Sequence, residues 1–517
     1  MNKLNFLLVL ILAVFLFTRI YQLTQNPPSL YWDEASIGYN AYSIIQAGQD
    51  EWGKALPVNF RAFGEFKLPV FIYTVALFEK IFGLNDWALR LPAVLFSLGT
   101  VILTFLLGEK FTKSRLIGVL SAFVLVTLPW FFLISRVGYE ANAGLMFYLL
   151  GILLFLNASK KSLFLLLSVI SFIASSYSYN SFRVLVPVTL VALIVYLLNS
   201  TKINVRRPAI YIAIISVIIY IVSLVPIVRL FSNPNNINRF QTIGIFSGRI
   251  SGEESLLIFT KNYFSHFSPS FLFINGDINL RSAQGGFGQI YWLQLPFMLS
   301  GLYFILKSKN TSGYLILLFA LIAPIPAAIT KESPHALRAI SAVPFISILT
   351  AVGVKFAADI VKNKQIVYLI FTSVTSAFFV FYFYQFIIVY PVKSSPEWQY
   401  GYKRLFLDYG GKFNTFDHVI ISDYLAQPYI FYLYYQKIDP KTLRNNISYN
   451  SVDKWGFSMV NNINNLVFTS IKQQNLPKGR LLIFASPQEK IDKSFSQETI
   501  KNLDGSSAFY VYEINNK

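Results

Sequence analysis

The chain has 517 residues, of which 54% are hydrophobic and only 13% charged, with a mean hydropathy of +0.51. Soluble domains average about 25% charged residues, so a water-soluble globular enzyme is excluded. The net charge of +19 would suggest nucleic acid in a soluble protein; in a membrane protein it is the Lys and Arg of cytoplasmic loops, and no nucleic-acid partner is expected.

The apolar stretches are continuous rather than alternating, which argues for helices against a β-barrel. There is no cysteine, hence no disulfide framework and no thiolate chemistry. The first apolar run is followed by Thr18-Arg19-Ile20-Tyr21 instead of a small-residue cleavage site, so it reads as an uncleaved first span.

In chain order the spans are Leu4–Leu23, Trp87–Gly108, Leu116–Ile134, Ala141–Leu156, Ser162–Tyr177, Phe182–Leu198, Ala209–Leu230, Gly288–Leu306, Gly313–Ile329, Ala339–Ala358 and Ile366–Tyr390. The expected fold class is a polytopic all-α membrane protein of about eleven transmembrane helices, with a small extracytoplasmic α/β domain at the C-terminal end. Lys67–Phe82 is apolar but short and holds Glu79 and Lys80, so it reads as an interfacial helix. Counting it as a span would invert everything downstream. As an interfacial helix it leaves Lys110, Lys113, Arg115, Lys160, Lys161, Lys202, Arg206, Arg207, Lys307, Lys309, Lys362 and Lys364 on the inner side.

Two outer loops are long, 24–86 and 231–287. The second contains a surface helix over Glu253–Phe267 and a glycine-rich turn at Gln284-Gly285-Gly286. The expected domains are therefore 1–390 in the membrane and 391–517 outside it. In the latter, His418–Ser422, Arg480–Ala485 and Phe509–Glu513 read as strands, Gln427–Gln436 as a helix and Asn461–Asn465 as a connector.

Ionisable residues gather at the outer ends of the spans: Asp33 and Glu34, Arg136 and Glu140, Arg183, and Arg338 with His335. One such residue is as readily an interface anchor as a functional group, but both signs returning to one face from several hairpins describe a cavity. Asp33 and Glu34 follow Pro27-Pro28 and Tyr31-Trp32 at the start of a short helix, where acids also suit the helix dipole. Glu65 and Lys67 stand close together ahead of Leu68-Pro69. Lys67 and the arginines have the charge to hold a phosphate, Arg338 bidentately. His266 and His335, with carboxylates nearby, could hold a divalent metal, although their spacing is not diagnostic.

The acid pair after the first span, the Gly64–Pro69 stretch before an interfacial helix, and Trp87–Pro92 resemble the GT-C membrane glycosyltransferases. So do Ser135–Glu140 and Ser333–Arg338. Protein O-mannosyltransferases and lipid A aminoarabinose transferases are the nearest branches, and the resemblance covers roughly residues 4–390. It implies sugar transfer from a polyprenyl-phosphate-linked donor to a lipid, glycan or protein acceptor. The face would be the extracytoplasmic one of a bacterial or archaeal plasma membrane.

By that resemblance Asp33 matches the catalytic first-loop aspartate. Lys67 matches the lysine or histidine near the donor phosphate, with the family's proline pair reduced here to Leu68-Pro69. Glu140 stands where relatives often carry Asp. Catalysis is expected of Asp33 and Glu34, and donor-phosphate binding of Lys67, Arg338 and Arg136. Glu65, Glu140, Arg183 and His335 would orient sugar or acceptor. A lipid-linked saccharide flippase is the alternative, but it should carry charge through the middle of its spans.

Overall fold

A computed structural model describes residues 3–158, 161–199, 207–232, 242–246, 251–444, 446–449, 460–471, 476–489 and 498–516. Lys160, Lys202 and Arg206, which carry part of the inner-loop charge, and parts of the second outer loop lie outside the described residues. The chain divides into two compact units, one of residues 1–21 and 93–384 and the other of residues 22–92 and 385–517. The first outer loop, expected to go with the spans, thus shares a unit with the C-terminal region.

The first unit is helical. Among the described residues, six helices are long and apolar enough to cross a membrane: Lys3–Ile20, Asp86–Thr112, Asn180–Leu197, Thr311–Ala328, Ala342–Ile360 and Lys364–Ile388. Shorter apolar helices, Arg115–Thr127, Glu140–Leu156, Leu163–Ser176 and Ile214–Leu230, lie at other expected spans, and Leu295–Ser308 falls in the one expected from Gly288. Proline accounts for part of the shortening. The stretch expected as one span, Leu116–Ile134, breaks at Leu128-Pro129 into Arg115–Thr127 and Pro129–Ile134, because proline cannot donate to the preceding turn.

Leu295–Ser308 and Ala342–Ile360 approach through glycine. A Cβ on Gly353 would lie 1.7 Å from the Phe297 carbonyl oxygen, and one on Gly301 would lie 2.3 Å from that of Leu349. Small residues permit this backbone-to-backbone contact between membrane helices.

The second unit is built on a seven-stranded mixed sheet. Its strands are β3 (His418–Ile421), β4 (Ile447–Tyr449), β5 (Val460–Ile463), β6 (Leu466–Phe468), β7 (Gly479–Ala485), β8 (Glu498–Lys501) and β9 (Ser507–Asn516), in the order β4-β5-β6-β3-β7-β9-β8. The parallel pairings are those of β3 with β6 and with β7, and the other described pairings in this sheet are antiparallel. Strands β3, β7 and β9 and the helix Pro428–Tyr435 are the elements expected in the tail. The asparagine-rich 461–465, expected as a connector, is instead most of β5 and a tight turn, with Asn464 at φ 51° in the left-handed region that asparagine tolerates.

The first outer loop contributes a helix, Trp32–Ala47, closed by Gly48 at φ 65° with its N–H bonded to the Ile44 carbonyl. A hairpin of β1 (Phe60–Ala62) and β2 (Glu65–Lys67) follows. Its two turn residues, Phe63 and Gly64, both have positive φ, the geometry that matches strand twist in a two-residue hairpin. The interfacial helix, Pro69–Phe82, starts directly after it.

Arg90 ties this loop together. Its guanidinium is fully buried and makes five hydrogen bonds: Nε to Glu34 Oε1 (2.9 Å), Nη2 to Glu34 Oε2 (3.0 Å) and to the Ser29 carbonyl (2.7 Å), and Nη1 to the carbonyls of Leu23 and Pro27 (both 2.9 Å). Five donors meet five acceptors, leaving none over.

Two outcomes follow for stability in detergent. Arg90→Gln and Glu34→Gln should each lose about 3–5 kcal/mol, because either leaves a buried charge without its partner, and thermal unfolding would register this. Gly353→Ala should cost about 1–3 kcal/mol or more by overpacking. An unchanged melting temperature in Gly353→Ala would refute the close helix crossing.

Candidate active site

The two adjacent acids part company. Asp33 and Glu34 open the same helix, and one residue turns the side chain about 100° around the axis, so they face different partners. Glu34 is wholly buried on Arg90. Its expected catalytic part is therefore corrected: with both oxygens on the guanidinium, it holds the loop.

Asp33 keeps a third of its side chain exposed, and its Oδ1 accepts from Lys67 Nζ at 2.5 Å. Lys67 is 95% buried, at the junction between β2 and the interfacial helix, where neither neighbouring backbone is free to drift. The helix bearing Asp33 is anchored at its start by the Trp32 N–H, which donates to Gln399 Oε1 (3.3 Å). The result is a carboxylate open to solvent on one side and set on a buried cation on the other. Glu65, at the turn end of the hairpin opposite Ala62, is half-buried.

The other expected residues belong to the first unit. Arg136 is buried, and its guanidinium donates to the carbonyls of Thr18 and Tyr21 (2.7 Å to the latter), past the last turn of the first helix. Arg19 beside it reaches Ser135 Oγ (3.1 Å) and the Val126 carbonyl (2.8 Å). Carbonyls left over at a helix C-terminus attract such cations, so the expected phosphate contact of Arg136 is corrected to a helix-end brace. Glu140 opens its helix and lies within electrostatic range of Arg183, so these two come together.

The turn Ser333–Arg338 is held by His266 and Asp277. His266 Nδ1 donates to the Asn262 carbonyl (2.9 Å), and its Nε2 accepts the His335 backbone N–H (3.1 Å). Asp277 Oδ2 accepts the Ala336 N–H at 2.7 Å. Burial pushes His266 down to about 4, so it is neutral at physiological pH. With both ring nitrogens engaged it has no lone pair for a metal. Among the described residues no group of three His, Cys, Asp or Glu is disposed to hold one.

Arg338 is about one-fifth exposed; it donates to Thr330 Oγ1 (2.9 Å) and lies 3.5 Å from the carboxylate of Glu332, itself more than half exposed. A surface carboxylate is a weakly held partner.

Arg90 and Glu51 were not among the expected site residues. A charge inside the apolar opening of a span, as in Trp87–Pro92, is the signal that points to Arg90. Glu51 carries no such signal, sitting in a polar run that reads as ordinary loop.

Residues 67–227 match the family model of the dolichyl-phosphate-mannose-protein mannosyltransferases, a segment that starts at Lys67. No curated protein sequence matches the chain. Among solved structures, ArnT from Cupriavidus metallidurans in the apo state is similar over 97% of both chains, with a TM-score of 0.59 at 12% identity. The same protein bound to undecaprenyl phosphate gives 0.56 at 11% identity, again over 97% of both chains. The apo oligosaccharyltransferase of Archaeoglobus fulgidus gives 0.52 at 12% identity over 84% of this chain. The chain spans only 63% of that enzyme's length. The chain thus has a fold like that of ArnT and the archaeal oligosaccharyltransferase, and its residues 67–227 resemble the dolichyl-phosphate-mannose-protein mannosyltransferases.

Proposed function

We propose that this protein moves a sugar from a polyprenyl-phosphate-linked donor to a hydroxyl acceptor on the extracytoplasmic face of the membrane. The observation that carries the reading is the Asp33–Lys67 pair, a part-exposed carboxylate joined to a buried ammonium. Support for the donor class comes from ArnT, solved with undecaprenyl phosphate, and from the archaeal oligosaccharyltransferase AglB, solved with dolichol-phosphate and an inhibitory peptide.

In the proposed reaction Asp33 takes the proton of the acceptor hydroxyl as its oxygen attacks the anomeric carbon. The bond from that carbon to the phosphate oxygen breaks, and its electron pair leaves with the lipid phosphate. Lys67 meets the charge that develops there, and a cation already in place has little reorganising to do. Direct displacement inverts the anomeric centre. Glu65 contributes to sugar and acceptor orientation beside this pair; in the first unit, taken by itself, Arg338 has the charge to bind a phosphate once Glu332 is displaced, and Glu140, Arg183 and His335 have the polar groups to bind sugar or acceptor.

The orientation rests on the basic short loops. Two acids beside these loops are neutralised locally: Glu109 pairs with Arg115 (3.4 Å), and Asp359 with Lys355 (2.6 Å) and Lys364 (2.8 Å).

Purified protein given a panel of polyprenyl-phosphate sugars should consume one of them. Asp33→Asn, which cannot accept a proton at neutral pH, should slow single-turnover chemistry by about 10²–10⁴-fold. Full-rate turnover in that variant would remove Asp33 as the base. Since the chain has no cysteine, Asp504→Cys gives a single label site on the C-terminal region. It should react with an impermeant maleimide on intact cells. Labelling only after permeabilisation would reverse the orientation.

A further inference from the structure

The parallel strands of the second unit end in polar residues beside the first outer loop. The chain leaving β3 runs to β4, β5 and β6 on one side of it, and the chain leaving β7 runs to β8 and β9 on the other. The connections therefore part between β3 and β7. Open sheets take their ligands in the crevice outside the carboxyl ends of two such strands. Ser422-Asp423-Tyr424 follows β3, and residues 486–489 follow β7. The ends are tied together. The Ser422 N–H donates to the Phe484 carbonyl (2.9 Å), and the Glu489 carboxylate accepts from the N–H of Ser486 (2.8 Å) and from that of Ile471 beyond β6 (2.6 Å).

The loop after β3 is costly to hold. Ala426 and Gln427 are consecutive non-glycine residues at φ 61° and 55°, in the left-handed region. Gln427 is also buried, and its Oε1 lacks a hydrogen-bond partner. Such backbone persists only where its surroundings impose it, and it gathers at binding sites. Here the surroundings are the first outer loop. Gln399 Nε2 donates to the Leu425 carbonyl (2.7 Å), and its Oε1 accepts the Trp32 N–H (3.3 Å). One side chain thus joins this loop to the residue before Asp33. Tyr429, in the helix that the loop enters, donates to Glu51 Oε1 (3.4 Å), and its ring stands edge-on to that of Phe63 in the hairpin turn, 6.0 Å away.

We propose that the crevice between β3 and β7, with Asp423 and Tyr424 on its wall, binds the acceptor as a neutral saccharide, and that Gln399 is the positioning residue that registers this site with Asp33. The inference rests on the transferase reading and names an acceptor class for it.

The chemistry of the wall selects the ligand. A carboxylate accepts from two neighbouring hydroxyls at once. Tyr424, 58% exposed, offers a flat apolar face to the C–H side of a sugar ring and a hydroxyl of its own. A second carboxylate, Glu489, acts on Asp423. Two negative groups repel a phosphorylated or carboxylated acceptor and leave a neutral hydroxyl-bearing one unopposed.

Methyl glycosides of the neutral hexoses, offered to the full-length protein in detergent without donor, test the site. At least one should bind in saturation-transfer NMR, and Asp423→Asn and Tyr424→Ala should each weaken it by about tenfold or more. Tyr424 is exposed, so Tyr424→Ala serves if Asp423→Asn does not fold. With donor present, Gln399→Leu should leave glycoside affinity within about twofold yet lower kcat by about 10²-fold, the loss expected when a bound reactant is misplaced. A merely structural role would weaken binding and turnover together.

No binding by any glycoside would overturn the inference, as would binding indifferent to both Asp423→Asn and Tyr424→Ala. A peptide bearing serine and threonine that bound in place of every glycoside would overturn it too. Glycoside binding that both variants weaken, with no donor turned over, would instead overturn the transferase reading and leave the saccharide site standing.

Discussion

The first outer loop depends on one buried guanidinium. Arg90 places five hydrogen bonds on three backbone carbonyls and both oxygens of Glu34, so the turn from Leu23 to Ser29 and the first turn of the helix Trp32–Ala47 share one anchor. A buried ion pair is a weak source of net stability, because desolvating two charges offsets most of what their attraction returns. Its value here is specificity of geometry. With Glu34 fixed, Asp33 one residue earlier has a fixed direction, and its carboxylate is held where Lys67 waits.

A second layer of support comes from the distant end of the chain. The helix Pro428–Tyr435 lies against Trp32–Ala47 so closely that a Cβ on Gly38 would fall 2.6 Å from the Tyr434 ring. Tyr39 Oη donates to the Ile438 carbonyl (3.0 Å), and Tyr429 reaches Glu51. Lys403 and Tyr434 both contact Asp86, at the start of the helix that carries Arg90. The residues after 385 are thus the floor on which the first outer loop is built, in addition to anything they do with an acceptor.

Hydropathy alone exposed the membrane helices and the main strands of the tail, because burial in lipid and alternation in a sheet leave periodic marks in composition. The pairing of Asp33 with Lys67 left no such mark, because the long first outer loop offers Asp50, Glu51, Lys54, Arg61 and Glu65 as other partners. Facing direction was not within reach: Asp33 and Glu34 are chemically near twins, and only the packed helix shows which of them meets solvent. Arg136 was misread because the carbonyls it serves belong to Thr18 and Tyr21, more than a hundred residues earlier. A charge at a span end looks the same whether it awaits a ligand or closes another helix. The paired Gly301 and Gly353 were equally silent, since a glycine announces permission for contact without naming the neighbour.

The order of synthesis gives the second unit a further consequence. Its first piece, residues 22–92, leaves the ribosome long before its other piece, residues 385–517. Until the segment through Ile438 has been made, Gly38 lacks the Tyr434 ring, Tyr39 the Ile438 carbonyl and Glu51 the Tyr429 hydroxyl. Contacts between such remote segments form late, after the closure of a long loop has been offset by the contacts themselves. A nascent chain that has threaded most of its helices therefore still lacks a finished loop around Asp33. A chain truncated in its last quarter would keep its membrane segments and lose the support of that loop, so completion of translation is the step that finishes it.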